Sequence, residues 1–112
     1  MNDCVFCKII GGQIPSAKVY EDEKMIIVKD INPKAKVHLL MIPKKHYADI
    51  TCLNKDTAGD LGECFLKLKE LEERLGIEKG FRLLINKGAA AGQTVFHLHV
   101  HILSGSLKSE VN

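Results

Sequence analysis

The sequence lacks any apolar run near the roughly 18 residues that a membrane span needs. Met1 to Asp3 lead into Cys4 with neither the charged stretch nor the apolar stretch of a secretory leader. These absences predict a soluble, cytoplasmic protein with no membrane partner. No block of like charge occurs either: 16 Lys+Arg stand against 14 Asp+Glu, for a formal net charge of +2. Affinity built on neutralising many phosphates is thereby disfavoured, and with it sequence-specific nucleic-acid binding. Internal repeats, low-complexity tracts and Pro/Gly/Ser linkers are missing as well, which leaves one domain over 1–112, with a core at about 3–105 and a short C-terminal tail.

What the chain does have is 5 His and 4 Cys among 112 residues that are 46% hydrophobic. A domain this small buries only about two-thirds of the surface its unfolded form exposes. A bound metal or a second subunit is a usual remedy.

Periodicity divides the chain into elements. Val5 to Ile10 is a short apolar stretch stopped by Gly11-Gly12, as expected for a turn or two of helix. Lys18 to Tyr20 and Met25 to Lys29 flank the charged turn Glu21-Asp22-Glu23 and predict a hairpin. His38 to Ile42 is a strand-length run ended by Pro43. Between Asn54 and Leu75 the period lengthens, with Leu61, Cys64, Phe65, Leu68, Leu71 and Leu75 on one helical stripe. Asn54 suits the N-cap of that helix and Gly76 its C-terminal stop. Phe81 to Ile85 and Phe96 to Leu103 predict two further strands. Five strands with one long helix inserted late argue for an α+β fold with an antiparallel sheet.

The strongest chemical signal is His97-Leu98-His99-Val100-His101. In a strand, residues two apart share a face, so the imidazoles line one side while Leu98, Val100 and Ile102 face the core. A polar face that happens to use histidine is the bland alternative, against a metal site or a catalytic histidine. Same-face neighbours lie about 6.5–7 Å apart and the outer pair about 13 Å apart, so one ion cannot readily take all three. A chelate would need other ligands, and Cys4-Val5-Phe6-Cys7 has the spacing of half a structural zinc site. A redox dithiol and a pair of buried thiols remain the other readings of that motif. Cys52 and Cys64 stand alone and read as packing residues. The loop from Gly88 to Thr94 lacks the Lys-Ser/Thr ending of a P-loop, yet its small residues let backbone N–H groups approach an anion.

His97 to Leu103 reads HLHVHIL, and in this the chain resembles the histidine-triad (HIT) family, whose signature alternates histidine with apolar residues. The resemblance extends through Asp3 to Ile10, Asp30-Ile31-Asn32-Pro33, Ile42-Pro43-Lys44-Lys45-His46 and Gly92-Gln93-Thr94. Within the family the chain is most similar to the Hint branch of purine nucleoside phosphoramidases, in its zinc-containing microbial form. It implies a five-stranded antiparallel sheet with one long and one short helix, and a homodimer that joins two sheets into one. The implied activity is hydrolysis or transfer at the α-phosphate of a purine nucleoside phosphoramidate or related nucleotide conjugate, with no catalytic metal.

Carried over by residue, the resemblance makes His99 the nucleophile that takes the nucleotidyl group. His101 and His38 orient the phosphate, Asn86 and Thr94 contact the phosphate or leaving group with the loop residues Gly92 and Gln93, and Asp30 binds the ribose. Phe6, Ile9, Ile14, Val28 and Ile31 surround the base. Cys4, Cys7, His46 and His97 make a closed structural zinc site. The chain departs from the Hint branch in two places. It ends Ser104 to Asn112 without a Trp-Pro-Pro-Gly tail, and it carries Thr94 where serine is usual. A purine-nucleotide sensor with incidental hydrolysis, and a zinc store or redox module, are the competing functions.

Overall fold

The computed structural model describes residues 3–105 and residue 107. The expectation about the tail therefore lies mostly outside the described residues. In chain order the elements are α1 (Val5–Ile10), β1 (Lys18–Glu21), β2 (Met25–Lys29), β3 (Val37–Pro43), α2 (Ala58–Leu75), β4 (Arg82–Leu84) and β5 (Val100–Ser104). Short 3-10 turns lie at Ile50–Cys52 and Ala89–Ala91. The strands form one sheet in the order β1-β2-β3-β5-β4, and every pairing is antiparallel. This is the expected α+β architecture, with one long and one short helix.

The sheet is covered on both faces, which explains why β2 and β3 read as continuous apolar runs rather than as alternations. On one face Met25, Ile27, Leu39, Met41, Val100 and Ile102 pack against Leu61, Cys64, Leu68 and Leu71 of α2. On the other, Ile26, Val28, Leu40 and Ile42 meet Phe6 of α1. Each fully buried aliphatic side chain contributes about 1.5–3 kcal/mol relative to exposure. β5 alternates cleanly, with Val100, Ile102 and Ser104 buried and His101 and Leu103 half-buried. The α1 face therefore receives His38 from β3 and His101 from β5, diagonal neighbours across the pairs His38↔Leu103 and Leu40↔His101.

Two boundaries differ from expectation for identifiable reasons. Asn54 does not cap α2. Its Oδ1 accepts from the backbone N–H of Asp56 and Thr57 at 2.8 and 3.1 Å, forming a local turn that delays the helix to Ala58 behind Thr57. Phe65, expected on the buried stripe, is 37% exposed at the stripe's margin. The stop is as expected: Gly76 adopts φ 75°, and Ile77 donates to the Glu72 carbonyl at 3.0 Å while its side chain is fully buried.

The second difference concerns the last strand. Only Val100–Ser104 is strand, so His97 and His99 precede it in irregular backbone. Pairing with β3 stops at Met41↔Val100. Pro43 has no N–H to offer a ladder, and its carbonyl accepts instead from the His97 ring at 2.8 Å. The Leu98 N–H turns to the Tyr47 carbonyl at 2.6 Å. Side-chain and loop bonds thus replace the ladder over the first two histidines.

Candidate functional site

The three histidines are held differently, and backbone groups decide which nitrogen of each ring carries the proton. A carbonyl can only accept, so the His97 ring donates Nε2–H to Pro43 and keeps a lone pair on Nδ1. His99 donates Nδ1–H to the His97 carbonyl at 2.7 Å, which leaves its Nε2 as the free lone pair. His38 has the reverse polarity. Its Nδ1 accepts from the Lys34 N–H at 2.9 Å, so neutral His38 carries its proton on Nε2. That proton is directed at His101 Nδ1, 2.9 Å away, with Asp30 Oδ2 at 3.3 Å. His101 accepts at Nδ1 and therefore carries Nε2–H.

Burial keeps these rings neutral. It pushes His99 and His38 below the ordinary imidazole value, against the opposing hydrogen bond that His99 donates to the His97 carbonyl in one case and the Asp30 charge in the other. His101 is pushed down to about 4 by burial first and then by the neighbouring His99 and His38. The His99 and His101 rings lie 5.1 Å apart, and Phe6 sets its edge against His99 at 4.9 Å and 87°. A neutral nucleophilic nitrogen thus stands beside a neutral donor.

The His99 and His101 rings open into a cavity of about 630 Å³ on the α1 face of the sheet. Phe6, Ile9, Ile14, Val28 and Ile31 line one part of it, and Asn86, Gly92, Thr94, His99 and His101 another, with Asp30 also in the wall. Of the residues expected around a nucleotide, Gln93 is the exception. It is 3% exposed, its side chain bonds only to protein backbone, and it does not line the cavity. His38 does not line the cavity itself but contacts His101 and Asp30, which do. Leu40, Val95 and the Pro15-Ser16-Ala17 segment also line the cavity, and the sequence carried no chemical signal for them. Nor could it show the Lys34 N–H and the Pro43 carbonyl, backbone groups that fix proton positions without a side-chain signature.

Next to the cavity a second cluster forms, and its His97 ring lies 6.0 Å from that of Phe6. Cys4, Cys7, His46 and His97 place one ligating atom each within 4.8 Å of one another, an arrangement able to hold a metal ion. Cys4 Sγ lies 3.4 Å from His97 Nδ1, and Cys7 Sγ lies 3.3 Å from His46 Nδ1 and 3.5 Å from His97 Nδ1. Cys4 is the N-cap of α1, its sulfur accepting from the Cys7 N–H at 3.3 Å. Burial, followed by the hydrogen bond and charge of Cys4, pushes the Cys7 thiol up. Cys64 is buried in the core and Cys52 is exposed on its 3-10 turn, both away from the ligand pair.

No helix among the described residues is long and apolar enough to cross a membrane. The sequence model described as HIT domain matches residues 11–107. A solved HIT family hydrolase from Clostridium thermocellum is 48% identical and superposes with a TM-score of 0.93, covering 100% of this chain and 99% of that one. A histidine triad nucleotide-binding protein from Candida albicans is 32% identical, with a TM-score of 0.79 over 98% of this chain and 86% of its own. Protein HitA of Neisseria gonorrhoeae is 46% identical over 103 residues, 92% of this chain and 96% of that protein. With the whole domain matched in sequence and in fold, the chain belongs to the HIT family.

Proposed function

We propose that this protein hydrolyses purine nucleoside phosphoramidates or related nucleotide conjugates at the α-phosphate, through a nucleotidyl intermediate on His99, and that it belongs to the Hint branch. The observation that carries this reading is the proton polarity of the rings at the cavity: an unprotonated Nε2 on His99 next to an Nε2–H on His101. Likeness to proteins named as hydrolases and as a nucleotide-binding protein supports it.

In the first step His99 Nε2 forms a bond to phosphorus as the bond to the leaving nitrogen breaks, and the positive charge that develops on the ring is held by Nδ1–H on the His97 carbonyl. The amine leaves with a proton taken up from solvent. In the second step water forms a bond to phosphorus as the bond to His99 Nε2 breaks, the nucleoside monophosphate keeps the hydroxyl, the remaining proton goes to solvent, and the His99 ring is neutral again. His101 Nε2–H, the Asn86 amide and the Thr94 hydroxyl stabilise charge on the phosphoryl oxygens, which is most of what such a transfer asks of a protein. Asp30 accepts from the ribose hydroxyls, and the aliphatic wall with Phe6 encloses the base. No catalytic metal takes part in this scheme.

The four-donor cluster suits zinc in a structural role. Around a tetrahedral zinc, a thiolate sulfur and an imidazole nitrogen lie about 3.5 Å apart. Three of the four sulfur-to-nitrogen distances here are 3.3 to 3.5 Å. His97 Nδ1 is already the unprotonated nitrogen, and the Pro43 carbonyl is the outer partner that metal-binding histidines usually have. When bound, zinc would neutralise the two thiolates and close the site without an open position. These residues then tie α1 to the segment that carries His99.

A homodimer through β4 is part of the same reading. β4 is an edge strand of three residues, with Leu83 and Leu84 more than a third exposed. A second copy meeting that edge would extend the sheet and cover them. The free thiols suit a reducing cytoplasm.

The test is turnover of an adenosine phosphoramidate by wild type and by His99→Asn. Turnover by wild type alone supports the assignment; equal turnover by both ends it. Tight purine-nucleotide binding without turnover in either would favour the sensor instead. Less than stoichiometric transition metal in carefully purified protein would end the zinc assignment.

A further inference from the structure

We infer that Gln93 is a positioning residue of the active site: it touches no substrate and holds the Gly88–Val95 loop so that Gly92 and Thr94 face the phosphate. This rests on the reaction proposed above, and it replaces the direct nucleotide contact expected of Gln93 from the resemblance.

A glutamine side chain offers one carbonyl acceptor and two amide donors. In Gln93 each of the three is used on backbone. Oε1 accepts from the Gly88 N–H at 2.8 Å, and Nε2 donates to the carbonyls of Ala48 at 2.8 Å and Val95 at 3.1 Å. The Gln93 N–H adds a fourth bond, to the Gly88 carbonyl at 3.1 Å. Residues 88 and 93 therefore meet as a reciprocal pair and close the loop into a ring. The amide end fastens that ring to Ala48, in the connection after β3, and to Val95, where the chain starts toward the histidines.

Geometry makes the clamp consequential. The ring contains Gly88 at φ 92° and Gly92 at φ 101°, conformations open to glycine that the closed loop selects from its wider range. Gly92 lies against Asn86, whose Nδ2 is 3.9 Å from where a Cβ on Gly92 would stand. Thr94 follows Gln93 directly and faces the cavity, and its N–H enters no backbone–backbone bond among the described residues. Turning Gln93 inward turns Thr94 outward. Five residues beyond Thr94 comes His99, reached through a segment that precedes the last strand. Reacting groups displaced by about 1 Å lose on the order of 100-fold in rate.

Two substitutions separate this role from substrate contact. Gln93→Met keeps length and removes all three side-chain bonds. Gln93→Glu keeps the acceptor for Gly88 and sets an oxygen against the Ala48 and Val95 carbonyls. Each variant would be assayed for turnover of an adenosine phosphoramidate, for AMP affinity by calorimetry, and for amide hydrogen exchange. Expected are a kcat lower by on the order of 100-fold, a KM and an AMP affinity within about threefold of wild type, and exchange at Gly88 and Gln93 faster by tenfold or more while β2 and β3 amides are unchanged. In the Gln93→Met background, Thr94→Ala would then cost far less than it does in wild type, because the hydroxyl is already displaced. A loss confined to KM and AMP affinity would show direct contact and overturn the inference, as would wild-type kcat or unaltered loop exchange. The exchange readout stands even if wild type fails to turn the substrate over, so failure of the proposed reaction and failure of the clamp are told apart. Should Gln93→Met not fold, Gln93→Glu carries the same three measurements.

Discussion

Two groups of ligating side chains lie on the same face of this sheet, and only one of them is ready to bind a metal. Cys4, Cys7, His46 and His97 form the first, and Asp30, His38 and His101 the second, each with its ligating atoms within 4.8 Å. By proximity they are alike. They differ in what the backbone does behind each histidine. The Pro43 carbonyl takes the outer proton of His97 and leaves a lone pair turned into the cluster. The Lys34 N–H occupies the outer nitrogen of His38 and forces a proton into the cluster, where His101 and Asp30 share it. One carbonyl and one amide thus separate a cluster able to hold a metal from a hydrogen-bonded histidine chain.

Their independence can be broken from either side. Replacing His99 with Asn removes the nucleophile, and the largest effect is expected here: turnover of an adenosine phosphoramidate falls by 10³-fold or more, on the order of what nucleophile deletions cost. Metal content by elemental analysis stays at the wild-type level. Replacing Cys4 with Ser acts the other way. The metal becomes easily chelated, and Tm falls on the order of 10 °C because a tie between α1 and the sheet is lost. Some activity survives that change, since His99 still donates to the His97 carbonyl. A Cys4→Ser protein that kept its Tm would show that the cluster contributes nothing to stability.

The comparison also sorts what the sequence could reveal from what it could not. Alternation in His97 to Ile102 placed apolar residues in the core and pointed to chemistry, and Leu98, Val100 and Ile102 are indeed buried. The α2 stripe and the Gly76 stop were legible because they depend on local spacing. The premature end of the last strand was not, since it depends on Pro43 and Tyr47, some fifty residues away, accepting bonds that a ladder would otherwise make. Gln93 carried a polar side chain in a loop, which from sequence alone reads as available to a ligand. Its inward turn is set by carbonyls at Ala48 and Val95 that have no side-chain signature. Asn54 met the ordinary difficulty that a good capping residue also makes good turns.

A smaller effect bears on the histidine chain directly. Zinc titrated into the purified protein is expected to find one tight site per chain, because binding at Asp30, His38 and His101 requires expelling the His38 proton with nowhere to put it on Nδ1. Lys34→Pro removes the amide that holds that tautomer. The variant should take up a second equivalent roughly 10- to 100-fold more tightly than wild type does, in line with the weight of outer hydrogen bonds at metal sites. Two tight equivalents in wild type would show that the Lys34 N–H does not govern the ring.

The mildest test is a stability profile in acid. His101 is pushed from 6.5 down to about 4 in the folded protein, so between those values the unfolded chain binds the proton and the folded one does not. Protons bound in the unfolded state exceed those in the native state across that window, and stability therefore rises with pH there. The contribution is complete above about pH 6.5 and is lost as pH falls through about 4. Denaturant melts at pH 7, 5.5 and 4.5 should show the decline, and His101→Asn should flatten part of it. A wild-type profile no steeper than that of His101→Asn would mean that the ring takes its proton as readily folded as unfolded. The neutral donor beside His99 would then lose its physical basis, while the four-donor cluster would stand untouched.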